Sequence, residues 1–192
     1  MRASRRRAGL LLAFFCGLVS PAWAGEATDC DRLAASPHDP ARTAPGVPFA
    51  ALDAPAALAA CQAALAAAPG EPRLAFQLGR AQAKGGDFAA ARASYTLAAE
   101  GGHLAALHNL AALFAEGQGV ERNLATALRL YLLAAERGFA PSQFQLGLAY
   151  LAGQGIVADR DKGLAWIRLA AGQDFAPARE WLVANQEAQS PQ

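Results

Sequence analysis

From residue 72 onward, a long period of apolar and polar positions overlies the short helical one. Leu78-Gly79, Leu110-Ala111, Leu146-Gly147 and Leu182-Val183 recur at spacings of 32, 36 and 36 residues. Paired alanines at Ala98-Ala99, Ala134-Ala135 and Ala170-Ala171 repeat at 36, as do Tyr95 with Tyr131 and Gly102 with Gly138. The run Gly117-Gln118-Gly119-Val120 returns as Gly153-Gln154-Gly155-Ile156. Several independent features agree on one period, which is the mark of an architecture built from repeated supersecondary units.

Each unit reads as two antiparallel helices. The first, helix A, carries the Leu-Gly step, whose glycine leaves room for a neighbouring helix. Helix B begins at Asp87, Asn123 or Asp159, residue types whose side chains accept from the free amides of a first turn. It presents Ala91, Ala127 or Gly163 at a close crossing, then turns Tyr95, Tyr131 or Ile167 toward the core. Gly102 and Gly138 suit the left-handed position after a helix end, where Asp174 stands in the last unit. One helix pair cannot bury its apolar face alone, so successive pairs must stack. The expected fold is all-α, a right-handed α-solenoid of antiparallel helix pairs. Its units lie near 73–104, 105–140 and 141–174, with a closing helix at 175–187 and a frayed tail at 188–192. An Ala-rich half-unit, Ala54 to Ala68, precedes them; Asp53 caps it, and Cys61 falls near the place Tyr95 takes later. Together these make a helical repeat domain over 53–187.

Residues 25–52 show no helical period. Pro37, Pro40, Pro45 and Pro48 mark an extended or turn-rich lead-in, expected to lie against the first helix. The first 24 residues form an export signal: Arg2, Arg5, Arg6 and Arg7, an apolar stretch from Ala8 to Val19, then Ala22-Trp23-Ala24 as a peptidase site. Cleavage after Ala24 directs the protein to the periplasm or beyond. The apolar stretch is too short to span a bilayer, which takes about 20 residues. Phe15 before Cys16 argues against a lipoprotein site.

Removing the signal leaves thirteen basic and sixteen acidic residues. Nucleic acid, which demands a basic face, is therefore not expected as a partner. Cys30 and Cys61 remain in an oxidising space and read as one disulfide, with two buried free thiols as the alternative.

At this point the residues resemble a known family. Leu146-Gly147, Tyr150, Gly153, Gly155-Ile156, Asp159, Lys162-Gly163, Trp166 and Ala170-Ala171 follow the order of the Sel1-like repeat, a relative of the tetratricopeptide repeat. The unit from Ala105 to Gly138 resembles it too, through Phe114, Gly117, Gly119, Val120, Ala127 and Tyr131, departing at Asn123 and Leu130. The unit from Arg73 to Gly102 has only Gly85-Gly86 in place of the glycine loop and is closer to a plain tetratricopeptide repeat. The resemblance covers residues 54 to 187 and implies an adaptor surface for other proteins. Exported members resemble regulators of envelope sensors, parts of polysaccharide export machinery or secreted partners of host proteins. Cysteine-rich relatives connected with β-lactams carry a disulfide in every repeat, and this chain does not.

Little here points to catalysis. His103 and His108 are five apart and do not share a helix face as an i, i+4 metal pair would, so no metal or other cofactor is expected. Gly117-x-Gly119 follows a helix and lacks the lysine of a phosphate loop, and no Gly-x-Ser-x-Gly elbow exists. In tetratricopeptide-like stacks the A helices line a groove. Counting two residues either side of Leu78, Leu110 and Leu146 gives Phe76 and Arg80, His108 and Ala112, Phe144 and Leu148. This mixed strip suits an extended peptide or a partner helix from another envelope or secreted protein; the plain alternative places Phe76 and Phe144 in the core between repeats. A scaffold for protein partners is thus the first expectation. An envelope enzyme or small-ligand binder acting on cell-wall or β-lactam-type compounds is the second.

Overall fold

The structure is a computed structural model that describes residues 27–187. The export signal, Cys16 and the tail from 188 lie outside the described residues. The chain enters at α1 (Asp29–Ala34), which the lead-in was not expected to contain. Six residues are too few to display a 3.6-residue period. What forms the helix is a reciprocal cap, in which Thr28 Oγ1 accepts from the Asp31 amide and Asp31 Oδ2 accepts from the Thr28 amide. After a 3₁₀ turn at Phe49–Ala51 come α2 (Ala54–Ala67), α3 (Pro72–Lys84), α4 (Phe88–Glu100) and α5 (Leu104–Glu116). Then follow α6 (Leu124–Glu136), α7 (Ala140–Ala152), α8 (Arg160–Ala171) and α9 (Ala176–Glu187), with no strand among the described residues.

Caps set the start of each B helix. Asp53, Asp87, Asn123 and Asp159 accept from the amides of Ala56, Ala90, Thr126 and Lys162. Such a contact stabilises a helix by about 1 kcal/mol. Four residues past each cap stands a small residue, Ala57, Ala91, Ala127 or Gly163. Eight past it stands a large one or a cysteine, namely Cys61, Tyr95, Tyr131 or Ile167. All eight are buried. These positions form the seam along which A and B helices meet, α3 with α4, α5 with α6, α7 with α8. The architecture is an α-solenoid of antiparallel helix pairs.

Backbone approach along the seam is close. A Cβ on Gly147 would stand 2.6 Å from Ile167 Cγ1 and 2.8 Å from the Gly163 carbonyl oxygen. One on Gly163 would stand 2.9 Å from the Gly147 carbonyl. In the first unit, Gly79 makes the same room for the Tyr95 ring. Neighbouring units are joined through the Gly-Gln-Gly loops. Gly119 lies against the Phe88 backbone and Gly155 against Leu124, so each loop rests on the B helix of the unit before it. Asp174 adopts the left-handed conformation, φ 59°, at the place of Gly102 and Gly138.

Gly147→Ala is therefore expected to push α8 from α7 and lower stability by about 1–3 kcal/mol, as overpacking of a filled interior does. Gly70→Ala meets nothing within 4 Å and serves as the control. Equal urea midpoints for the two variants would show that the crossing is looser than described.

Candidate functional site

The face of the A helices is already partly occupied, and by this chain's own N-terminal segment. The Val47 amide donates to the Ala35 carbonyl at 2.8 Å, closing residues 35–47 into a loop. Arg80 reaches out from α3 and grips both arms of that loop, donating to the carbonyls of Ala34 at 2.6 Å and Val47 at 2.8 Å. One turn further on, Lys84 Nζ donates to the Ala50 carbonyl at 2.9 Å. At the other end of α3, Arg73 pairs with buried Asp31, which also accepts from Gln77 Nε2 at 2.9 Å. A buried carboxylate is tolerable only with partners of this kind.

The loop tip crosses toward the later units. Asp39, fully buried, places Oδ2 3.2 Å from His103 Nε2, and the His103 ring stacks on Phe76 at 4.5 Å. His38 meets the edge of Phe175 at 5.3 Å. The base of the segment is fixed covalently: Cys30 and Cys61 form a disulfide, with Cα atoms 4.5 Å apart. Cys61 holds the seam position that the tyrosines take in later units, so a covalent bond stands where an aromatic packs elsewhere.

The residues expected to line the groove divide accordingly. Phe76 is fully buried between Tyr95 and His103, and Arg80 is buried beneath the loop it holds. Phe144 packs with Phe175 and the α8–α9 cluster, and Leu148 is half-buried at its edge. His108 is half-buried; its Nδ1 lies 3.0 Å from Ser142 Oγ, and its ring meets Tyr131 and Phe139. Ala112 faces open space on α5. The uncovered part of the face therefore belongs to α5 and α7. It holds a cleft of about 730 Å³ between the loop and α3–α5, where Phe49, Tyr95, Asn109 and Glu116 meet. A second hollow of about 290 Å³ lies between α5, α6 and α7.

Asp39, Glu116, Gln145 and Gln154 are functional candidates that the spacing argument did not reach. Gln154 left a trace, since Gly-Gln-Gly occurs twice. Asp39 left none, because it meets His103 from a segment without period.

Reduction of Cys30–Cys61 is expected to cost about 3–4 kcal/mol by freeing the unfolded chain. It should also make the bonds between residues 36 and 47 cut faster by trypsin at Arg42, measured against the oxidised protein. Unchanged cleavage at Arg42 would mean that the side-chain anchors alone hold the loop. Burial, with a smaller contribution from His38, pushes the His108 pKa down to about 4. The unfolded chain, with a histidine near 6.5, then binds the proton first. The stability His108 preserves is full above 6.5 and is lost as pH falls from there to about 4, by the order of 2 kcal/mol. Urea midpoints of the wild type should fall more steeply across that window than those of His108→Gln. Parallel curves would remove His108 as the cause.

The Sel1 repeat family matches residues 104–139 and 140–175, the two units that carry the full glycine loop. Among solved structures, the Sel1 repeat protein of Oxalobacter formigenes is 30% identical with a TM-score of 0.55, covering 59% of this chain and 88% of that one. A protective antigen of uropathogenic Escherichia coli, c5321, which displays an SLR fold, is 20% identical with a TM-score of 0.41. That match covers 73% of this chain and 38% of the other. No curated protein matches the chain. With two consecutive units matched and most of the Oxalobacter protein covered at 30% identity, the chain belongs to the Sel1 repeat family.

Proposed function

We propose that this protein is an exported scaffold which holds an extended segment of another envelope or secreted protein on the open face of α5 and α7. The observation that carries the reading is the chain's own N-terminal segment on the neighbouring face of α3. There Arg80 and Lys84 hold three backbone carbonyls, those of Ala34, Val47 and Ala50. Backbone carbonyls are common to every peptide, so the A-helix face is a surface on which extended chain can be held. The next two A helices continue the same face uncovered, with half-buried His108, Ala112 and Leu148 beside exposed Gln145. Such a mixture suits a peptide that must dock without a deep apolar anchor.

Export is part of the reading and rests on the basic start, the short apolar stretch and Ala22-Trp23-Ala24. The disulfide supports it, since such bonds persist in oxidising compartments. None of the described helices is long and apolar enough to cross a membrane. The role is binding, regulatory or assembly-related, without chemistry of its own.

The test places a photo-crosslinking residue at Ala112 or Leu148 in the full-length chain, expressed in its native cell. Leu133, exposed on the outer side of α6, is the control. One discrete protein adduct is expected from both groove positions and none from Leu133. Ala112→Arg, combined with the probe at Leu148, should cut that adduct at least about 10-fold, since a buried mismatch costs 1.4 kcal/mol or more. Adducts of equal yield from Leu133, or none from either groove position, would overturn the reading.

A further inference from the structure

We propose that the hollow between α5, α6 and α7 is a subsite for one basic side chain, lysine or arginine, of the bound partner segment. The inference rests on the groove reading above and adds the chemistry of what the groove selects. At about 290 Å³ the hollow is at the lower edge of small-molecule sites, the size for one long side chain rather than a whole ligand. Leu128 and Tyr131 give it an apolar wall for an aliphatic stem, while Glu116, Gln145 and Gln154 stand around the mouth.

Charge decides the class of ligand. Glu116 is the only lining residue that carries a charge at neutral pH. It forms no ion pair among the described residues. Neither lysine nor arginine lines the hollow, and the adjacent Arg122 is engaged by the Ala115 carbonyl at 2.9 Å. Burial keeps the His108 ring neutral, down to about 4, so it brings no positive charge. Burial, and then Glu116, push the Tyr131 hydroxyl up to about 12, so it stays protonated with its oxygen free to accept. The Gln145 and Gln154 amides complete a set of acceptors facing a single carboxylate. A head group with several donors and a positive charge satisfies such a set. An acidic head is repelled, and an aliphatic one leaves the polar groups desolvated without partners.

An internal comparison separates the two repeats by their hydrogen bonding. In the preceding repeat, Tyr95 occupies the position of Tyr131, and Asn109 that of Gln145, each 36 residues earlier. There Asn109 Nδ2 donates to the Tyr95 hydroxyl at 3.1 Å, so the two satisfy each other although both line the larger cleft. In the later repeat no such bond joins Gln145, which is exposed, to the Tyr131 hydroxyl, which is not among the buried atoms left without a partner. The loop that delivers Gln154 is also prepared. Gly153 and Gly155 both take positive φ, 65° and 70°, and the Gln154 amide donates to the Ala149 carbonyl at 3.1 Å, fixing the residue at the mouth.

The experiment uses the exported, disulfide-bonded protein produced from the full-length chain, followed by NMR. The probes are N-acetyl-arginine methylamide and N-acetyl-lysine methylamide, with the norleucine and glutamate analogues as controls. The basic probes are expected to shift the Gln154 side-chain amide and the Tyr131 ring saturably, with Kd on the order of 1–10 mM. The norleucine and glutamate analogues should not. Glu116→Gln, an exposed change at a helix end that leaves folding within about 0.5 kcal/mol, should weaken the arginine probe at least about 5-fold. Tyr131→Phe should weaken it with Glu116 intact. No saturation by about 50 mM, equal binding of norleucine, or unchanged affinity in Glu116→Gln would each overturn the subsite. The photo-crosslinks at Ala112 and Leu148 separate the two ideas. If they persist while the basic probes fail, the groove stands and the subsite falls; if they also vanish, the groove reading falls with it.

Discussion

Helices in each unit cross closely because small residues stand where their backbones meet, and every other feature depends on that crossing. Gly147 and Gly163 face one another across α7 and α8 with no space for a Cβ on either. Close approach brings Ile167 into full burial, an apolar contribution of about 1.5–3 kcal/mol. It also fixes the angle at which each pair leaves the next. The Gly-Gln-Gly loops then rest on the preceding B helix, so a face exposed by one unit is covered by its neighbour. A stack of this kind has ends and open sides, and its binding surfaces lie on them.

The N-terminal end is closed by unusual means. In place of a full A helix, the chain supplies the six residues of α1, a disulfide at the tyrosine position of the seam, and a loop over α3. Because little apolar surface is available in a loop with three prolines, polar anchors hold the segment: Arg80 on two carbonyls, Arg73 and Gln77 on Asp31, His103 beside Asp39. Buried Arg80 and Asp31 each have hydrogen-bonding partners, which makes the segment specific in position rather than merely adherent. The loop covers α3 and, at its tip, reaches the N-terminal ends of α5 and α7, leaving their later turns uncovered, which divides one continuous face into a filled part and an open part.

The open half is chemically different from the filled one. On α3 the gripping groups are cations that hold carbonyl oxygens. Between α5, α6 and α7 they are neutral imidazole, phenol and amides around one carboxylate. Under the proposed function the two halves favour opposite features of an extended chain, its backbone acceptors in one case and basic side chains in the other.

Much of this was legible in the residues. The period, the A and B helices, the caps at Asp53, Asp87, Asn123 and Asp159, the close crossings and the left-handed Asp174 all follow from local chemistry repeated at a fixed interval, and repetition makes weak signals add. Pairing of Cys30 with Cys61 was legible from compartment and number. The helix α1 was not, since a single turn displays no period. Nor was the loop's path over α3, which removes Phe76 and Arg80 from the open surface and depends on contacts between residues more than 30 apart with no shared pattern. Sequence alone determined the repeating unit, because every unit must satisfy the same backbone and the same seam. Tertiary structure alone decided which part of the groove is free, because that depends on where a segment without periodicity finds partners for its carbonyls and its buried carboxylates.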